Sequence, residues 1–209
     1  MNYKIKIIFH LFILFLSIIS FSSAQTSSSN KNDYMPLSIG NKWYYNSHPS
    51  NVNVGSEISN LREVIRIDKI KNKKYFVISY SIFSPNKTVE SIFYQRISND
   101  TLFTLTYDQK SNLYFERVTA IFTLDSGDVA RIELLPNELS SRNEAQGLPT
   151  GRRYLIKAIN KDKETIELYT NAGGVDGNYT ETYKRGIGMI KSKNDWGIVQ
   201  DLVKYEIKF

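Results

Sequence analysis

From residue 34 onward the chain alternates. In Tyr75–Phe83 the positions Phe76, Ile78, Tyr80 and Ile82 fall on one side, and Ser79, Ser81 and their neighbours fall on the other. In the last segment one side carries Val199, Asp201, Val203, Tyr205, Ile207 and Phe209. The other carries Ile198, Gln200, Leu202, Lys204, Glu206 and Lys208 and turns polar toward its end. A period of two is that of a β-strand, whose successive side chains point to opposite faces. One wet face favours antiparallel neighbours. Runs of this kind are predicted at Trp43–Tyr45, Glu57–Ile70, Tyr75–Phe83, Val89–Ile97, Leu102–Tyr107 and Leu113–Phe122. They continue at Val129–Leu135, Arg153–Ile159, Thr165–Tyr169, Tyr179–Lys184 and Ile198–Phe209. Polar turns such as Lys71-Asn72, Ser84-Pro85-Asn86-Lys87 and Ser98-Asn99-Asp100 separate them. This spacing predicts an all-β protein whose antiparallel, curved sheet forms a barrel or half-barrel. One short helix at most is expected, at Pro136–Gln146, inside the longest stretch without strand character.

The N-terminus follows a different pattern. Lys4 and Lys6 precede an apolar run from Ile7 to Ile19, and Ser22-Ser23-Ala24 offers small residues for cleavage. Residues 1–24 therefore read as a signal peptide. The apolar run is shorter than the ~20 residues of a spanning helix. No cysteine follows it to accept an acyl chain. Residues 25–33 are rich in Ser and Asn and read as a disordered leader, which leaves residues 34–209 as a single β domain. Export to the periplasm, the cell surface or the medium is the expected localisation.

Charge and composition narrow the chemistry. The chain has 209 residues, 27 Lys+Arg against 21 Asp+Glu, no Cys and two His. Disulfides, thiolate zinc sites and cysteine nucleophiles are excluded. Loss of residues 1–24 removes two lysines and no acid, so the remaining positive bias is mild and predicts no nucleic-acid partner. It also removes His10 and leaves His48, in the turn-like Asn46–Ser50, as a surface histidine rather than a catalytic or metal-binding one. Glu57, Glu63, Glu90, Glu116, Asp125 and Asp128 are scattered among Lys and Arg. They form no marked pair for glycoside hydrolysis and read as solvated faces with cross-strand partners. Asp125-Ser126-Gly127-Asp128 and Asp176-Gly177-Asn178 read as turns, because neither has the spacing of a calcium loop. Gly186-Ile187-Gly188 lacks the third glycine and the βαβ setting of a nucleotide fingerprint. Gly40, Gly186 and Gly188 are expected to be structural, as is Trp43. Trp196, in the polar stretch Ser192–Gly197, is expected to be more exposed.

Two segments carry a resemblance. Met35-Pro36-Leu37-Ser38-Ile39-Gly40-Asn41-Lys42-Trp43-Tyr44-Tyr45 resembles the PLxxGNxWxY opening of uncharacterised secreted proteins of Gram-negative bacteria. Tyr183-Lys184-Arg185-Gly186-Ile187-Gly188-Met189-Ile190-Lys191 resembles the YxxGxGxxK segment near their C-terminus. The resemblance implies a curved sheet shaped like those of periplasmic lipoprotein carriers and lipocalins. Lipocalins open with G-x-W, and Gly40-x-x-Trp43 is one residue longer. The expected role of Trp43 is to plug one end of the sheet.

These readings predict an exported, non-enzymatic protein without a cofactor. Its curved sheet would bind a lipid or other small hydrophobe among the inward aromatic and apolar positions Phe76, Ile78, Tyr80, Phe93, Phe103, Tyr107, Phe115 and Tyr169. The alternative is an envelope or cell-surface interaction protein with no cavity, whose partner would be an envelope protein. An outer-membrane barrel ending at Phe209 is disfavoured by charges on both faces and by strands shorter than a membrane crossing requires.

Overall fold

A computed structural model describes residues 33–50, 57–108, 113–133, 153–171 and 177–208, with the backbone alone at 107, 108, 113–115, 133 and 153. The signal peptide expected at residues 1–24, all but residue 33 of the expected leader and the helix expected at Pro136–Gln146 lie outside these residues. Among the described residues there are twelve strands and no helix. They are β1 (Lys42–Pro49), β2 (Asn60–Ile70), β3 (Lys73–Ser84), β4 (Lys87–Ser98), β5 (Thr101–Asp108) and β6 (Leu113–Ile121). The second half comprises β7 (Val129–Glu133), β8 (Arg153–Lys161), β9 (Thr165–Asn171), β10 (Asn178–Lys184), β11 (Gly188–Asn194) and β12 (Ile198–Glu206).

One antiparallel sheet contains them all, in the order β6-β5-β4-β3-β2-β1-β12-β11-β10-β9-β8-β7. Every neighbour is adjacent in sequence except β1 and β12, which pair from Lys42↔Glu206 to Pro49↔Ile198. The sheet curls into a nearly closed barrel, and its two edges are β6 and β7. The turns that reverse the chain suit this curl. Lys71 and Asn72, between β2 and β3, and Asn99 and Asp100, between β4 and β5, all have positive φ. That is the two-residue turn whose twist matches paired strands.

Three boundaries differ from the sequence expectation. β11 was not foreseen, because Gly188 at its head and the polar Lys191–Asn194 hid a strand. β1 runs past Tyr45 to Pro49, which puts His48 on a strand rather than in a loop. β3 and β4 have 12 residues each, longer than the runs expected at Tyr75–Phe83 and Val89–Ile97, whereas β2 begins at Asn60 rather than Glu57. β5 pairs only with Tyr94–Ser98 of β4, so Lys87–Phe93 has no described neighbour on that side. There the β3–β4 hairpin projects, with Ile82, Phe83, Val89 and Ile92 exposed.

The core lies inside the curl. Trp43, Tyr45, Val64, Ile78, Leu102, Ile156, Ile166, Leu168, Tyr183 and Met189 are buried there. Tyr34, Met35 and Phe122 join them, with Tyr34 stacked on Phe122 at 5.3 Å and Tyr183 edge-on to Phe122 at 5.1 Å. At the seam, Tyr154 of β8 donates through its hydroxyl to the Val118 carbonyl of β6 at 2.9 Å. The ring of Tyr154 also lies beneath the Arg117 guanidinium. A side chain of β8 thus reaches past the β7 edge to β6, where no backbone ladder is formed among the described residues.

Candidate functional site: a half-polar chamber inside the sheet

The two segments that carry the sequence resemblance meet at one end of the curl. Trp43 is fully buried, and its indole N–H donates to the Ile187 carbonyl. Tyr45 donates through its hydroxyl to the Met189 carbonyl at 3.0 Å. Gly186 N–H donates to Asp33 O at 2.7 Å, and Gly40 N–H donates to Val64 O at 2.7 Å. Buried Asn41 completes the junction, donating to Pro36 O at 2.8 Å and accepting from Lys208 N–H at 2.7 Å.

Gly188 has φ +109°, and a Cβ there would stand 2.9 Å from Trp43 Nε1 and 3.2 Å from Met35 Sδ. Both the backbone conformation and the space require glycine. Gly186, at φ +72°, has open space around it, so conformation alone calls for glycine there. Trp196 is 66% exposed.

Next to this junction the inner face of the sheet forms a half-open chamber of about 140 Å³. It is lined by Met35, Arg62, Phe93, Gln95, Leu102, Thr104, Thr119, Glu181 and Tyr183. Register explains the lining. The ladders set Trp43 opposite Arg62 and Arg62 opposite Tyr80. Val64 faces Ile78, and Ile78 faces Phe93. Gln95 faces Thr104, and Thr104 faces Arg117. From the other wall, β10 sends Tyr179, Glu181 and Tyr183 inward beside Thr170, Leu168 and Ile166.

The polar groups inside are only partly satisfied. Gln95 is 5% exposed. One end of its amide reaches Thr104 Oγ1 at 3.2 Å, and Oε1 at the other end has no partner. Thr104 and Thr119 share a hydroxyl hydrogen bond of 2.7 Å. The Arg62 guanidinium lies 5.4–5.9 Å from the ring centres of Tyr45, Tyr80 and Phe93. Among the described residues its one hydrogen bond is a weak 3.9 Å contact to Met189 Sδ, and its buried Nε has no partner there. Arg117 Nε is also buried without a partner. Glu181 accepts from the Tyr183 hydroxyl at 2.7 Å. Burial raises the Glu181 pKa, and the Tyr183 hydrogen bond together with the charges of Arg62 and Arg117 offsets part of the rise.

Of the positions expected to line a cavity, Phe93 does so. Ile78 is buried in the core, and Phe76 packs against it. Tyr80 lies over Arg62 and accepts a 3.0 Å hydrogen bond from Gln200. Two positions are corrections. Phe103 pairs with Arg96, on the face opposite Gln95 and Thr104, and lies under the Arg96 guanidinium at 4.3 Å. Tyr169 pairs with Thr180 and Lys157, on the outer face opposite Ile166, Leu168 and Thr170. Both errors arise from assigning inwardness by aromaticity instead of by register. The side chains of Tyr107 and Phe115 lie outside the described residues.

Sequence reasoning missed Arg62, Gln95, Thr104, Thr119, Glu181 and Tyr183. Strict alternation would have found Glu181, which stands two residues from both Tyr179 and Tyr183. Arg62 was harder, because a bulge between Val64 and Arg66 breaks the alternation of β2.

Other polar candidates are accounted for on the outside. His48 Nε2 meets Asp201 at 2.9 Å, and its Nδ1 meets Pro49 O at 2.9 Å. The Asp125–Asp128 turn is closed by Asp128 N–H to Asp125 O at 2.9 Å, and Asp128 Oδ2 accepts from Asp125 N–H. Lys161 binds the Asp125 carboxylate. Glu116 accepts from Tyr75 at 2.6 Å and from both Arg96 and Lys73. Burial acts to raise its pKa, but the hydrogen bonds from Arg96, Lys73 and Tyr75 prevail and bring it to about 2.

No family model and no curated protein matches the chain. Two solved structures share its outline. One is a "putative lipoprotein" from Parabacteroides distasonis, with 9% identity and a TM-score of 0.45, covering 84% of this chain and 99% of the other. The second is a "putative exported protein with YmcC-like fold" from Bacteroides fragilis, with 13% identity and a TM-score of 0.40, covering 84% and 100%. Likenesses this distant establish neither a common family nor a common ligand.

Proposed function

We propose that the protein is an exported, non-enzymatic binding module that holds a small ligand in the chamber inside its curved sheet. The observation that carries this reading is the chamber itself: a space of about 140 Å³ bordered by Phe93, Leu102 and Met35 and by polar atoms that the protein does not satisfy. A well-packed core leaves few spaces larger than a water molecule, and buried polar atoms are normally paired. The volume resembles the ~150 Å³ engineered cavity that accepts benzene, and it lies below the ~300 Å³ at which drug-sized pockets begin. The ligand is therefore compact, and a long acyl chain does not fit. Binding suits the lining better than turnover does. Among the described residues Glu181 is its one carboxylate and no histidine lines it, whereas glycoside hydrolysis needs two carboxylates.

A membrane-spanning barrel fits less well. Its lipid face would be an apolar band. Here the outer face carries the pairs Lys42–Glu63, Arg66–Asp68 and Lys191–Asp201. Export rests on the signal-like residues 1–24 and is tested by fractionating cells that express the full chain. A mature N-terminus at Gln25 outside the cytoplasm is expected, and retention of the uncleaved chain in the cytoplasm would refute it. The binding reading is tested by thermal melts of the purified protein with benzyl alcohol, indole and benzoate. A saturable rise in melting temperature with at least one probe is expected. If all three leave the melt unchanged, the chamber is only a packing defect and the interaction-protein alternative gains ground.

A further inference from the structure

We infer that the chamber selects a small organic carboxylate, gripped by the guanidinium of Arg62 while its apolar body rests on Phe93, Leu102 and Met35. This rests on the binding reading above and adds the chemical class of the ligand.

The argument begins with what Arg62 lacks. A guanidinium offers five N–H donors in a planar fork that matches a carboxylate bidentately. Among the described residues no carboxylate lies within ion-pairing distance of Arg62, and its one hydrogen bond goes to a thioether sulfur. Three aromatic rings surround it. Such rings displace water and hold the fork without neutralising it. A cation kept out of water normally has an anion beside it, because an uncompensated one is costly. Glu181 lines the same chamber and attracts Arg62 through its charge, but its carboxylate is engaged by Tyr183 and makes no ion pair with the guanidinium, whose fork stays open. Arg117, opposite Thr104 in the β5–β6 ladder, adds a second positive charge to this wall.

The second observation is independent of charge. Gln95 is buried and lines the chamber, and Oε1 of its amide has no partner. It is a ready partner for a polar substituent on the ligand. Thr104 and Thr119 lie beside it and are already bonded to each other. The lining thus divides into an anion-seeking pole at Arg62, a hydrogen-bonding patch at Gln95 and an apolar floor. A carboxylate on a ring or short branched chain fits this division. Inorganic phosphate brings charge but has no apolar body to use the floor.

Isothermal titration of the full-length processed protein at pH 7 with benzoate, benzyl alcohol, benzylamine and inorganic phosphate tests the inference. The three organic probes share nearly one body and differ in head group. Benzoate is expected to bind at least tenfold more tightly than benzyl alcohol, with benzylamine weakest and phosphate undetectable. In parallel, the Arg62 Nε–H resonance in the arginine side-chain NMR spectrum should move on adding benzoate and remain in place with benzyl alcohol. Arg62→Met should abolish the tenfold preference while benzyl alcohol still binds. Equal or tighter binding of benzyl alcohol would overturn the carboxylate inference and leave the chamber reading intact. Tight binding of phosphate without benzoate would overturn it in favour of an inorganic anion site. Failure of every organic probe in the wild type would remove both readings. If Arg62→Met does not fold, the probe series and the resonance shift on the wild type decide the matter alone.

Discussion

The two faces of this sheet handle the same pair of residues in opposite ways. Outside, Arg96 of β4 reaches across β5 to Glu116 of β6, with Lys73 and Tyr75 completing the bonds of Glu116. Phe103 supports the Arg96 guanidinium from below. Inside, Arg62 and Glu181 line one chamber without pairing, and aromatic rings surround the arginine. The outer cluster satisfies itself and adds to stability. The inner one holds its polar groups apart, and in the proposed binding role a ligand would complete them. Polar groups that a fold leaves unsatisfied in its interior point to function more clearly than those it has paired.

The strongest way to test the inside against the outside uses the two tryptophans. Trp43→Ala should cost about 3–5 kcal/mol, the range for a large buried aromatic. Trp196→Ala, on the outside, should stay within about 0.5 kcal/mol. Thermal melts of the two variants check this, and small equal shifts would defeat the assignment of Trp43 as the plug. Next in size is Gly188→Ala. Its positive φ and its contact with Trp43 together predict a loss of about 2–3 kcal/mol. Gly186→Ala, strained in conformation alone, should lose about 1 kcal/mol. Urea unfolding that ranks the two the other way would break the junction described here.

Arg62→Met and Glu116→Gln should then move stability in opposite directions. Removing the inner cation, which forms no ion pair and is attracted by Glu181 only through space, should stabilise the ligand-free protein by about 1–2 kcal/mol. Removing the paired outer anion should destabilise it by about 1 kcal/mol, a modest figure because solvent screens the cluster. Losses at both positions would mean that Arg62 has a partner of its own. pH sharpens the contrast. The Glu116 pKa falls from the ordinary 4.5 to about 2 on folding, so its contribution is complete above pH 4.5 and disappears as pH falls toward 2. The stability gap between wild type and Glu116→Gln should close across that window.

The smallest effect concerns His48. Its pKa is raised above 6.5 by the Pro49 carbonyl and then by Asp201. It therefore contributes below pH 6.5 and stops doing so as pH rises through the higher folded value. Melts of His48→Gln should differ from wild type more at pH 5.5 than at pH 9. The reverse order would remove the ion pair with Asp201 from the account.

Period-two alternation was enough to find the class of the fold and most strands, because antiparallel strands with one wet face write that period into the chain. It failed at β11, where Gly188 and a lysine-rich tail carry little alternation. It failed more seriously for the chamber. Phe103 and Tyr169 were placed inside because they are aromatic, and Arg62, Gln95 and Glu181 were passed over because they are polar. Which face a residue occupies depends on register, and the bulges at Val64/Arg66 and Leu102/Phe103 change that register partway along a strand. No local pattern records them. The meeting of Trp43 with Gly188 is likewise a contact between the two ends of the domain, visible only once β1 lies beside β12.

That pairing also shapes how the chain must assemble. β1 through β6 form one meander of neighbouring hairpins and β7 through β12 another, and the β1–β12 ladder of eight residue pairs joins them. Each meander forms through local contacts, whereas the ladder must bring together strands from opposite ends of the domain. Long-range closure of this kind is slow, so docking of the two half-sheets is expected to limit the folding rate. The open seam also falls where the chain passes from one half to the other, between Ile121 and Val129. A single cut there severs no ladder. The two fragments should remain one particle in gel filtration, separate only in denaturant, and recover the native spectrum when mixed again.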